Sequence, residues 1–104
     1  MEVSEIDVAE LARRRDEGGV TLIDVRQPDE YEEARVPGAV LVPLGEVPDR
    51  LAEIPAEGTL HIICARGARS MKAAEFLAGQ GRDTVNVDGG TLAWIDAGYE
   101  TESG

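Results

Sequence analysis

The run Thr59-Leu60-His61-Ile62-Ile63, followed at once by Cys64 and then by a helix-like stretch from Met71 to Gln80, most limits what this chain can fold into. An unbroken aliphatic and β-branched run of this length suits a strand covered on both faces, and such strands belong to parallel sheets. Met71, Ala74, Leu77 and Ala78 form one apolar stripe at helical spacing, so strand and helix are joined by Cys64-Ala65-Arg66-Gly67-Ala68-Arg69-Ser70. That joint holds the only cysteine. A thiol at the end of a buried strand, before a glycine-bearing cationic loop and a helix starting near Ser70, faces backbone N–H groups and the positive end of the helix dipole. Those conditions favour a thiolate.

The rest of the chain repeats the strand–helix alternation. Val3–Ile6 reads as a short strand, and Asp7-Val8-Ala9-Glu10 as a capping box opening a helix that Gly18-Gly19 ends. Within that helix Arg13-Arg14-Arg15 reads as a solvated face. Val20–Val25 is a second strand interrupted by Asp24, whose expected role is to anchor the following loop through N–H groups. Pro28 opens a short helix, Ala39–Val42 is a strand closed by Pro43, and the spacing of Leu44, Val47 and Leu51 predicts a helical segment over Leu44–Glu53. Thr84–Val87 is a further strand, Asp88-Gly89-Gly90 a turn, and Leu92–Ala97 a last helix carrying Trp94. The pattern predicts one α/β domain over residues 1–104, a three-layer sandwich whose central, mostly parallel sheet has helices on both faces.

Charge and cysteine usage narrow the partners. Asp plus Glu number 21 against 10 Lys plus Arg, a formal charge of −11, which makes nucleic acid an unsuitable partner. No apolar run approaches the ~20 residues of a membrane span, the first residues are acidic where a signal peptide is basic, and a lone cysteine suits a reducing compartment. The expected location is the cytoplasm.

In open α/β sheets, sites form beyond the carboxyl ends of the strands, where Cys64 falls. A buried packing cysteine does not need Arg66, Gly67 and Arg69 after it, so the expected role is that of a nucleophile. His61 lies three residues earlier and points to the opposite face of a regular strand, which suits packing rather than a base for Cys64. One Cys and one His do not make a zinc site, and no dinucleotide or Walker pattern is present. Protein tyrosine phosphatases place five residues between Cys and Arg. Here four separate Cys64 from Arg69, a smaller loop suited to a smaller reacting atom such as sulfur.

On these residues the chain resembles the rhodanese family, in particular its single-domain thiosulfate sulfurtransferases, from about Ile6 to Tyr99. Leu22-Ile23-Asp24-Val25-Arg26, then Glu30-Tyr31 with Val36-Pro37-Gly38-Ala39, then the Cys64–Ser70 loop, then Asp88-Gly89-Gly90 with Ala93-Trp94 look like the family's segments in order. The resemblance implies that Cys64 takes sulfur from a small anionic donor such as thiosulfate, becomes a persulfide held by Ala65, Arg66, Gly67, Ala68, Arg69 and Ser70, and passes the sulfur to a thiol or protein acceptor. It implies no cofactor or metal. Family members that lack the cysteine set the precedent for the competing reading, a non-catalytic interaction module. One departure is Ala34-Arg35 where many relatives have Gly-His, a change expected to affect local packing or the rim of the pocket. Within this chain no second cysteine can resolve a persulfide, so the acceptor is external.

A chain of charge −11 opposes the approach of a dianion. Two unit charges ~4 Å apart interact by about 4 kcal/mol at an effective dielectric near 20, whereas surface charges more than ~8 Å away are largely screened at physiological salt. Arg66 and Arg69 beside the thiol therefore govern binding, while the distant acids slow encounter. Turnover with thiosulfate is expected to rise with moderate salt; steady-state rates that fall steeply and monotonically as salt is added contradict this.

Overall fold

The computed structural model describes residues 3–104. Five strands, β1 (Ser4–Ile6), β2 (Thr21–Asp24), β3 (Val40–Leu41), β4 (Thr59–Ile63) and β5 (Asp83–Val87), form one sheet in the order β1-β5-β4-β2-β3, parallel throughout. Four α-helices connect and cover them: α1 (Val8–Glu17), α2 (Pro28–Glu33), α3 (Ala68–Gly79) and α4 (Gly90–Asp96). The chain leaves β2 toward one edge of the sheet and β4 toward the other. Right-handed crossovers then put α2 and α3 on opposite faces, and a crevice opens between the ends of β2 and β4.

Alternation along the strands divides the core in two. Ile23, Val25, Leu60, Ile62 and Cys64 face α3, where they pack on Ala73, Ala74 and Leu77. Leu22 and Ile63 face the other layer and pack with Leu11 of α1, Val36, Val87 and Trp94 of α4. The expected three-layer arrangement is present, and Cys64 lies on the α3 side.

Several boundaries differ from those read in the sequence. Leu44–Glu53 is not one helix but two 3-10 turns, Leu44–Glu46 and Leu51–Glu53. Pro48 lacks the N–H that would bond back to Leu44, so the helix cannot propagate; the apolar spacing reported burial of Val47 and contact of Leu44 and Leu51 with the core. Helix α3 begins at Ala68, three residues before Met71, and α4 begins at Gly90 rather than Leu92. The Asp7 side chain accepts the Glu10 N–H at 2.9 Å, but Glu10 does not complete the capping box: its carboxylate binds Arg13 and Arg14 at 2.7 and 2.9 Å. Nor is Arg13-Arg14-Arg15 a solvated face. Consecutive helical residues fan out by about 100°, so Arg13 is exposed, Arg14 reaches His61, and Arg15 donates to the Pro37 carbonyl with its guanidinium over the Trp94 ring.

Asp24 is fully buried, and its carboxylate is held by the backbone and the side chain of one residue, Arg26. It accepts the Arg26 backbone N–H at 3.0 Å, as expected of a loop anchor, and its two oxygens also take the Arg26 guanidinium at 2.8–3.0 Å. Residues two apart share a strand face, which brings the pair together. The guanidinium goes on to the Ala34 carbonyl at 2.8 Å, tying the end of β2 to the end of α2. Removing one member of such a pair strands the other charge in the interior. Asp24→Ala is therefore expected to cost about 3–5 kcal/mol in urea unfolding; a loss below about 1 kcal/mol contradicts an anchoring role.

Candidate active site

Cys64 leaves the end of β4 with its side chain on the α3 face, and Gly67 reverses the backbone with φ at +116°, a conformation that favours glycine. Because α3 starts immediately afterwards, the second half of the loop is helical: Ala68 is exposed in the first turn, Arg69 half-buried and Ser70 buried. The Gly67 N–H donates to Cys64 Sγ at 3.1 Å and the Ser70 hydroxyl at 3.2 Å. Burial acts to push the thiol pKa up. It is outweighed by the Ser70 hydroxyl and by the backbone N–H groups of Ser70, Gly67 and Arg66, so the thiol stands below its ordinary value. The N-terminal end of the twelve-residue α3 adds its dipole. Cys64, only 1% exposed at the base of this loop, suits attack on a single protruding atom.

Other elements hold the loop from outside. The Thr91 N–H donates to the Cys64 carbonyl at 2.8 Å and the Leu92 N–H to the Ala65 carbonyl at 3.1 Å, so the first turn of α4 grips the peptide beside the thiol. Gly90 makes that approach possible: a Cβ there would lie 2.5 Å from both carbonyl oxygens. The Asn86 amide of β5 donates to the Gly67 carbonyl at 3.2 Å. These supports follow from through-space packing; Asp88-Gly89-Gly90 marked only a turn.

The two arginines differ. Arg66 is exposed and forms no ion pair among the described residues. Arg69 does not stand free beside the thiol as the sequence led us to expect, because both its terminal nitrogens bind Glu30 of α2, at 2.8 and 2.9 Å. The Arg69 guanidinium holds Glu30 down at about 2, so the carboxylate stays charged and offsets the arginine. Glu30 stands in the Glu30-Tyr31 pair quoted above, but nothing in its spacing linked it to Arg69. His61 lies on the opposite face from Cys64, as expected. It is buried, and its Nε2 faces Arg14 Nη1 at 3.0 Å, where only the guanidinium can donate; burial holds the imidazole pKa below its ordinary value. Arg35, at the departure from the family pattern, stacks on the Tyr31 ring at 4.5 Å and exchanges backbone hydrogen bonds with Glu102. Its effect is local packing, while Ala34 lies at the rim of the cleft beside Ala65.

Comparison with known proteins agrees with this geometry. A sulfurtransferase of Allochromatium vinosum is 39% identical over 92% of this chain and 92% of its own length. An HTH-type transcriptional regulator of Mycobacterium tuberculosis is also 39% identical over 92% of this chain, which spans 43% of that protein's length. The crystal structure of a rhodanese-like domain protein from Staphylococcus aureus superposes with a TM-score of 0.87 at 37% identity, covering 97% of this chain and all of that one. The sequence model of the rhodanese-like domain matches residues 7–97, and the chain belongs to that family.

Proposed function

We propose that this protein is a sulfurtransferase that moves sulfane sulfur from thiosulfate or a persulfide donor, through a persulfide on Cys64, to an external thiol or other nucleophilic acceptor. One observation carries the reading: a lowered thiol at the carboxyl end of β4 accepts hydrogen bonds from Gly67 and Ser70 at 3.1 and 3.2 Å. The relative named a sulfurtransferase, matched over 92% of both chains, supports it.

With thiosulfate, the Cys64 thiolate attacks the outer sulfur, the S–S bond of the donor breaks, and its electron pair leaves with sulfite. Charge is conserved, since a thiolate and a dianion become a persulfide anion and a dianion. The extra sulfur lies among the donors of Ala65–Ser70, with Arg66 as the unpaired cation. An acceptor thiolate then attacks the outer sulfur and Cys64 leaves as the thiolate. No metal or organic group is needed for either step. The single cysteine of the chain makes the acceptor a second molecule, and a thiol kept reduced suits the cytoplasm.

The regulator of which this chain spans 43% favours a second reading, an interaction module without turnover. The hydrogen-bonded sulfur favours the first. After incubation with thiosulfate, the intact protein is expected to gain the mass of one sulfur, released by a thiol acceptor, and Cys64→Ser is expected to lose both the gain and the activity. Unmodified wild-type protein under saturating thiosulfate and persulfide donors contradicts the enzyme reading.

A further inference from the structure

A cleft of about 180 Å³ opens beside the Cys64 loop, with Ala65 as part of its lining. One wall comes from the β2–α2 side, with Glu30, Glu33 and Ala34, and the other from α4, with Leu92 and Ile95. Leu92 and Ile95 are 42% and 41% exposed, and few other large apolar side chains are so uncovered. They stand three residues apart on α4 and so share its outer face.

The charges around this cleft are mostly committed. Arg26, which also lines it, gives its guanidinium to Asp24 and to the Ala34 carbonyl. Glu30 is taken by Arg69. Glu33 remains: it is exposed and has no ion-pair or hydrogen-bond partner among the described side chains. The cleft therefore offers an apolar wall, one unpaired carboxylate and no free cation. Arg66, the unpaired cation, belongs to the Cys64 loop instead. The hydrogen-bond donors around Cys64 Sγ suit an anion, whereas the cleft lining beside the loop is apolar and acidic. Thiosulfate is complementary to the first alone and would leave the second unused.

We infer that the cleft receives the body of a sulfur-carrying partner, and that this partner is a polypeptide segment presenting a cysteine persulfide with an apolar and a basic side chain beside it. The apolar side chain covers Leu92 and Ile95, and the basic one pairs with Glu33. The inference rests on the reading of Cys64 as the sulfur-accepting nucleophile. In the transfer, the Cys64 thiolate attacks the outer sulfur of R–S–SH, a bond forms between that sulfur and Sγ, and the S–S bond of the donor breaks. The electron pair leaves as R–S⁻, the proton stays on the transferred sulfur, and no oxidant is consumed.

Two synthetic persulfidated peptides and thiosulfate serve as donors, with the rate of sulfur appearance on Cys64 read by intact-protein mass. In one peptide the cysteine is flanked by Leu and Lys, in the other by Ser and Glu. The Leu/Lys peptide is expected to load wild-type protein about tenfold faster, the ratio that a difference of about 1.4 kcal/mol gives. Glu33→Lys is expected to abolish or reverse that preference, and Leu92→Ser to lower the Leu/Lys-peptide rate relative to the thiosulfate rate several-fold. Equal loading by the two peptides, or a preference that survives Glu33→Lys, overturns the inference. Loading by thiosulfate without peptide discrimination overturns the cleft assignment and leaves the role of Cys64 intact, whereas absence of loading from every donor removes both.

Discussion

The site depends on hydrogen-bond donors gathered around a buried sulfur. Cys64 is buried at the end of the central strand, where desolvation by itself favours the neutral thiol. The balance reverses because donors converge on the sulfur from a loop only six residues long after it: the backbone of Arg66, Gly67 and Ser70 and the hydroxyl of Ser70. Two backbone features make that convergence possible. Gly67 takes a left-handed conformation, and α3 begins one residue later, so that Ser70 lies under the sulfur within the first turn. Had the helix begun at Met71, Ser70 would have been a loop residue with no fixed orientation.

The scaffold fixes that geometry from both sides. Sheet order places the ends of β2 and β4 beside a crevice, and each end is separately restrained. After β2, the buried Asp24–Arg26 pair binds the loop to the end of α2. After β4, the first N–H groups of α4 hold the Cys64 and Ala65 carbonyls, with Gly90 allowing the contact distance, and Asn86 holds the Gly67 carbonyl. The Arg69–Glu30 pair bridges the two sides. Charge is thereby neutralised at these structural contacts, while Arg66 of the loop and Glu33 at the cleft have no ion-pair partner among the described residues.

The layer arrangement and the position of Cys64 could be read in the sequence because both follow from local patterns: apolar runs of strand length, helical stripes, and a cysteine where one gives way to the other. The opposite-face placement of His61 came from strand alternation alone. What the sequence did not disclose depended on contacts between distant segments or on competition among local ones. The apolar spacing of Leu44, Val47 and Leu51 marked buried residues correctly, yet Pro48 removed the helix that the spacing implied. Arg69 was visible as a loop cation, but its neutralisation by Glu30, 39 residues away, was not. The same holds for Arg14, whose partner His61 lies 47 residues on, and for Gly90, whose need for glycine arises from carbonyls of another loop.

For the chemistry, the net charge of the chain matters less than which charges remain free at the site. Uncoupled arginines would attract any small dianion; here one of the two is spent on holding α2 to α3, and it is the hydrogen-bond donors that lower the thiol pKa against the effect of burial. The loop donors thus set the acidity of Cys64, lowering its thiol below the ordinary value against the effect of burial. The most direct test is a titration of the ultraviolet thiolate absorbance of the wild-type protein, with Cys64→Ser as the blank. A midpoint below that of an ordinary cysteine is the result predicted; a midpoint at or above the ordinary value would show that burial outweighs the loop donors and would contradict the account.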